Sequence, residues 1–234
     1  MSPQAYVALV TAFLNHGYSA TGFLDVHAAR RELVLRHDID FDVGFAERIS
    51  RIEDDLGVTS TFFFLVRSES YNLLEARNAR LIRSIAERGH VVSLHFDPTL
   101  YDEDQIEEGF ASERSIFEAE FGAIQHVSIH RPAQYFLDNA TDICGVRHTY
   151  HPEYFSKLKY FSDSQGSFRY GHPLESEAFA AQASIQLLTH PVWWVSEAAG
   201  PLPKLDEFIH QRERSLREHV AANCVPYREV MEPR

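Results

Sequence analysis

Residues 34 to 40 read Val-Leu-Arg-His-Asp-Ile-Asp, and the carboxylates of Asp38 and Asp40 are the first residues whose spacing points to chemistry. They follow an apolar run, Leu33-Val34-Leu35, and positions i and i+2 of an extended strand face the same way. Asp38 and Asp40 then converge on one spot, where two anions need a cation or a shared proton. A solvated turn is the plain alternative for an isolated Asp-x-Asp, so the reading depends on what else arrives there.

Three further apolar runs end in residues of the same kind. Residues 90–95 end at His95 with Asp97 just beyond; residues 126–130 end at His130, followed by Arg131-Pro132; residues 184–190 end at His190. In parallel α/β sheets and barrels, ligands bind at the carboxyl ends of the strands. A single histidine at such a place is more often structural, but four coincident endings gather carboxylates, imidazoles and a guanidinium on one rim. One carboxylate with two neutral imidazoles is a common zinc arrangement that leaves room for water. A second carboxylate can take the proton of that water, and a histidine across the site can protonate a leaving amine. The chemistry is metal-assisted hydrolysis.

The elements that position these residues alternate. Ser2-Pro3 opens a helix over 3–15, and strand 32–38 is followed by a helix over 43–55 that Gly57 stops. Strand 60–66, Ser-Thr-Phe-Phe-Phe-Leu-Val, is continuously apolar, as in parallel sheets buried on both faces. A helix over 73–88 stopped by Gly89, strand 90–95, an acidic helix over 102–121 and strand 126–130 continue the alternation. Residues 135–182 loosen into short aromatic, Gly- and Ser-rich segments before strand 184–190 and a last helix over 203–221. The pattern predicts right-handed βαβ units and a mostly parallel sheet, open or barrel-like, in one domain spanning 1–234.

Composition narrows the class. A formal charge of -12 argues against nucleic acid or an anionic membrane as partner. Two cysteines without paired spacing, Cys144 and Cys224, do not make a disulfide scaffold or a cysteine zinc site. No basic region precedes an apolar core at the N-terminus, and no apolar run reaches membrane-span length, so a soluble, cytoplasmic protein is expected. Tyr71 after the second main strand and Trp193 after His190 have ring faces suited to sugar C–H patches. Packing at the mouth of the barrel is the structural alternative for both. Oligomeric state is not readable.

Arg36-His37-Asp38-Ile39-Asp40, the 89–95 strand, His130-Arg131-Pro132 and Leu188-Thr189-His190-Pro191 stand in the order of the polysaccharide deacetylase family. This group, also called NodB-homology or carbohydrate esterase family 4, resembles the chain over roughly residues 32 to 195. The resemblance is nearest to deacetylase-like proteins encoded with bacterial lipopolysaccharide O-antigen genes. It implies a distorted (β/α) barrel and a divalent metal, usually zinc. The implied roles are Asp38 as catalytic base, Asp40 and His95 as metal ligands, His190 as general acid and Arg131 as the arginine that orients the base. Asp163 and Arg169 resemble a later motif lining the substrate site.

One departure stands out. The second histidine of the family's His-x-x-x-His falls at position 99, where this chain has Thr99, a poor zinc ligand. His130 can replace it, Asp97 can, or the site holds no metal. The function implied is metal-dependent removal of an acyl group, acetyl or formyl, from an amino sugar or surface-polysaccharide precursor. The alternatives are a metal-free, allantoinase-like hydrolase of a non-sugar C–N bond and a non-catalytic carbohydrate-binding relative.

Overall fold

The computed structural model describes residues 1–28, 30–132 and 136–231. Helix α1 (Pro3–Asn15) starts where Ser2 accepts the Ala5 N–H at 3.2 Å, with Pro3 in the first turn where no N–H is required. After it come β1 (Ser19–Ala20), β2 (Glu32–Ile39), α2 (Val43–Asp55), β3 (Thr61–Leu65), α3 (Ala76–Glu87), β4 (Val91–Phe96), α4 (Ile106–Phe121) and β5 (His126–Ile129). Gly57 and Gly89, at φ +68° and +88°, end α2 and α3 in the left-handed conformation that side chains resist. The stretch expected to be irregular contains β6 (Arg147–His148), α5 (Pro152–Phe155), β7 (Lys159–Ser162) and α6 (Glu177–Ala180). Strand β8 (Ile185–Thr189) and helices α7 (Val192–Val195), α8 (Pro201–Asn223) and α9 (Val225–Met231) complete the order.

All of these strands pair in parallel, in the order β6-β5-β4-β3-β2-β8-β7, with β1 beside the start of β2. The sheet curls into the distorted (β/α) barrel that the family resemblance implied, where the alternation alone left an open or barrel-like sheet. Its two edges, β6 and β7, are joined by side chains instead of a ladder. Tyr150 and Tyr160 bring their rings to 6.1 Å. Gln186 of β8 donates to the carbonyls of Tyr154 at 2.6 Å and Thr149 at 3.4 Å.

The period of two along β2 sorts two cores. Leu33, Leu35 and Ile39 pack with helix residues such as Tyr6, Phe45 and Ile49, and with Phe62 and Phe64 of β3. Val34 faces inward with Phe63, Phe23, Tyr154 and Leu158. Burying a Leu, Val or Phe side chain contributes about 1.5–3 kcal/mol, so both faces of β2 and β3 hold the sheet. The inward positions above Val34 are then Arg36, Asp38 and Asp40, a polar series mounted on an apolar plug. On the outward face, His37 lies 2.7 Å from Thr189 Oγ1 and 2.9 Å from Glu53 Oε1, fixing the end of β2 against β8 and α2. Among the described residues no helix is long and apolar enough to cross a membrane.

Candidate active site

The end of β2 is clamped before it reaches the site. Tyr71 accepts the Leu65 N–H and donates to the Ile39 carbonyl, both at 2.8 Å, which ties β2 to the end of β3. This corrects the expectation that Tyr71 contacts substrate: its hydroxyl is committed to backbone, and the residue is buried.

Arg36, fully buried two residues before Asp38, grips that carboxylate as a fork, Nε to Oδ1 at 3.0 Å and Nη2 to Oδ2 at 2.7 Å. Ser128 of β5 accepts from Arg36 Nη2 at 2.6 Å and lies 3.0 Å from both Asp38 oxygens, so its single proton serves one of them at a time. Gln186 accepts from Nη1 at 3.3 Å, and the Tyr150 ring centre lies 4.9 Å from the guanidinium carbon. Burial opposes ionisation of Asp38, but the Arg36 charge outweighs it and holds the carboxyl well below the usual range. The arginine that orients this carboxylate is therefore Arg36 and not Arg131. Positions 36 and 38 share a strand face, whereas Arg131 follows the end of β5 with φ +46° and a side chain 68% exposed. Sequence reasoning missed Arg36, although the i, i+2 rule that paired Asp38 with Asp40 applies equally to positions 36 and 38.

Asp40, His95 and His130 bring one ligating atom each to within 4.8 Å of one another. His95 Nε2 lies 3.1 Å from His130 Nδ1, and Asp40 Oδ1 lies 3.3 Å from the first and 3.5 Å from the second. The buried Asp40 Oδ1 accepts no hydrogen bond. Three features fit a divalent cation. The orphaned oxygen lacks a donor. His95 turns Nδ1 to the Ser128 carbonyl at 3.2 Å, which leaves Nε2 for the cluster. Burial and the adjacent His95 lower His130, keeping its ring in the neutral form that ligates. Burial likewise opposes ionisation of Asp40, yet His95 and His190 bring its carboxyl below the ordinary value. Two nitrogens and one oxygen suit zinc.

Of the candidates to replace the histidine missing at position 99, the geometry selects His130. Asp97 caps the turn of residues 98–100, its Oδ1 accepting the Thr99 N–H at 3.0 Å and the Thr99 hydroxyl at 2.6 Å. Its other oxygen stands 3.9 Å from His130 Nε2, behind that ring.

Opposite Asp38, His190 closes the site from β8. Asp163, fully buried, lies 2.6 Å from His190 Nδ1, accepts the His190 backbone N–H at 3.0 Å and takes the Trp194 indole N–H at 2.6 Å. Burial alone would lower His190, but Asp163, followed by Asp40 and Asp38, lifts it to about 9. Its Nε2 faces the centre, 3.8 Å from Asp40 Oδ2. Asp163 thus orients the histidine from behind and does not line the substrate site. Arg169, also expected there, is exposed and absent from the cavity wall. The cavity over the centre holds about 670 Å³. Phe41, Trp193, Leu202 and Leu205 form an apolar wall, and His130 and Arg131 stand at the β5 end. Helix α8 is docked there by Lys204, which donates to the carbonyls of Trp193 at 2.7 Å and Ser196 at 2.6 Å.

Among solved structures, a peptidoglycan N-acetylglucosamine deacetylase superposes with a TM-score of 0.51 at 18% identity, over 89% of this chain and 92% of its own. The chain carries that deacetylase fold. A chitin deacetylase from the fungal pathogen Colletotrichum lindemuthianum gives 0.49 at 15% identity, over 82% of this chain and 86% of its own. A family 4 carbohydrate esterase from Bacillus anthracis gives 0.47 at 17% identity, over 88% and 86%. No protein-family model matches the sequence, and no curated protein matches it significantly.

Proposed function

We propose that this protein is a metal-dependent hydrolase that removes an acyl group, acetyl or formyl, from an amino sugar or a surface-polysaccharide precursor. The observation that carries the reading is the meeting of Asp40 Oδ1, His95 Nε2 and His130 Nδ1 between Asp38, held by Arg36, and His190, held by Asp163.

Asp40 Oδ1, His95 Nε2 and His130 Nδ1 would hold a divalent ion, zinc by donor type, which would acidify a water and polarise the acyl carbonyl. The Asp38 carboxylate, 3.7 Å from His95 Nε2, receives the proton of the attacking water on the lone pair that Arg36 and Ser128 leave free. Oxygen then adds to the acyl carbon, and His190 Nε2 hands its proton to the amide nitrogen as the C–N bond breaks. Asp163 keeps Nδ1 paired during that transfer, so the ring gives up its Nε2 proton and stays oriented. The carboxylic acid and the free amino sugar leave, with one water consumed.

The test is acetate and formate release from acylated amino sugars, with zinc content measured on the same protein. Turnover should require about one bound metal and be abolished by Asp38→Asn with the metal retained. Full turnover by Asp38→Asn, or by metal-stripped protein, overturns the assignment.

A further inference from the structure

We propose that Arg131 and Asp97 form an anion subsite at the β5 end of the cavity, so that the preferred substrate is an acylated amino sugar bearing a phosphate or carboxylate. The inference names the substrate class of the site proposed above and rests on that reading.

The Arg131 guanidinium has donors to spare. Arg36, in its fork with Asp38, already does the work that the sequence resemblance assigned to Arg131. Among the described residues lining the cavity, Arg131 carries the one fixed positive charge; the other cationic group there is the acid His190. Its guanidinium makes no hydrogen bond to any described residue, and its nearest carboxylate is Asp97 Oδ2 at 3.7 Å from Nη1. That distance steers the side chain without consuming its donors.

Asp97 is itself built in. It is buried, and Thr99 holds its Oδ1 through both a backbone N–H and a hydroxyl. The threonine that stands where a second metal histidine was expected therefore braces the carboxylate that steers Arg131. The backbone at Arg131 adds a second observation. A non-glycine residue at φ +46° is strained, and such strain persists where the surroundings impose it. Here the preceding His130 N–H is tied to the Phe96 carbonyl at 2.7 Å, and Pro132 follows, so the chain must turn at Arg131. The turn leaves a planar fork of donors on the rim, the geometry that matches phosphate and carboxylate oxygens. The wall from Phe41 to Leu205 offers no counterpart, so an anionic substituent has one end of the cavity to occupy.

The experiment is calorimetric titration of zinc-loaded wild type, R131A and R131K with glucosamine, glucosamine 1-phosphate and muramic acid. These sugars carry no acyl group, so the readout is independent of turnover. In wild type, at least one anionic sugar should bind about tenfold or more tighter than glucosamine. R131A should erase that ratio and R131K should keep part of it; the phosphate and carboxylate arms identify the oxyanion. Equal affinity for neutral and anionic sugars in wild type, or an unchanged ratio in R131A, overturns the inference. Anion preference without deacylation of the acylated sugars keeps the subsite and refutes the hydrolase reading. Deacylation without anion preference does the reverse.

Discussion

Replacing Arg36 by methionine keeps most of its volume inside the barrel and removes its charge. The substitution leaves Asp38, only 3% exposed, with the Ser128 hydroxyl as its remaining partner. Breaking a buried ion pair on one side costs about 3–5 kcal/mol, because the remaining charge stays desolvated and uncompensated. Gln186 also loses a partner for its Oε1, so R36M should fall in the upper half of that range. The double variant R36M/D38L removes both charges and restores an apolar interior. It should recover at least about 2 kcal/mol relative to the sum of the single changes.

The pH dependence has a definite sign. In the wild type the folded carboxyl titrates below its unfolded value of about 3.9, so its stabilisation is present above that pH and is lost as pH falls further. In R36M, burial without the guanidinium raises the carboxyl, and protonation then relieves the variant. The stability gap between the two proteins should therefore be widest near neutrality and narrow already as pH falls towards about 4. Urea denaturation at pH 7 and at pH 4, with circular dichroism, measures both quantities. A loss below about 1 kcal/mol for R36M, or a gap that does not change with pH, would refute the assignment of Arg36 as the partner that holds Asp38 ionised.

Three other outcomes follow from the geometry. With His190 lifted to about 9, kcat/KM should hold through neutral pH and decline as pH rises past that value. Asp163→Asn should move this alkaline limb down by about one unit or more, since it removes the largest influence that raises the imidazole; superimposable limbs would disprove the pairing. His130→Ala should weaken zinc binding by about a hundredfold or more in competition with a chelator, whereas Asp97→Asn should leave about one zinc per chain. Loss of metal in the Asp97 variant alone would reverse that choice. Tyr71→Phe leaves the buried Leu65 N–H and Ile39 carbonyl without a partner and should cost about 1–3 kcal/mol in urea unfolding. Its kcat should fall more than KM rises, because what moves is the strand end carrying Asp38 and Asp40.

Which parts of this molecule could be read from sequence depends on whether a short-range rule governs them. The period of two along β2 was enough to bring Asp38 and Asp40 to one place, and the alternation of apolar runs with amphipathic segments was enough for a parallel sheet, whose closure into a barrel came only from the family resemblance. β6 and β7 escaped because two- and four-residue strands are held by distant partners: Tyr150 against Tyr160, and Gln186 on the Thr149 and Tyr154 carbonyls. The misplaced residues have the same cause. Tyr71 and Asp163 sit at sequence positions that suggest the cavity, yet tertiary contacts turn their polar atoms to Ile39 and His190 instead. Arg131 stands where a motif puts a base-orienting arginine, but Arg36, two residues before Asp38 on the same strand face, makes that contact. A carboxylate held by a two-pronged guanidinium has little room for a second one. Once Arg36 lies on the Asp38 face of β2, an arginine at 131 is displaced from the base. With Arg131 at φ +46°, His130 turns into the cluster that Thr99 cannot complete. The arginine fork on β2 and the histidine of the cluster on β5 do not compete, because Arg131 stands on the rim and leaves both Asp38 and Asp40 to them.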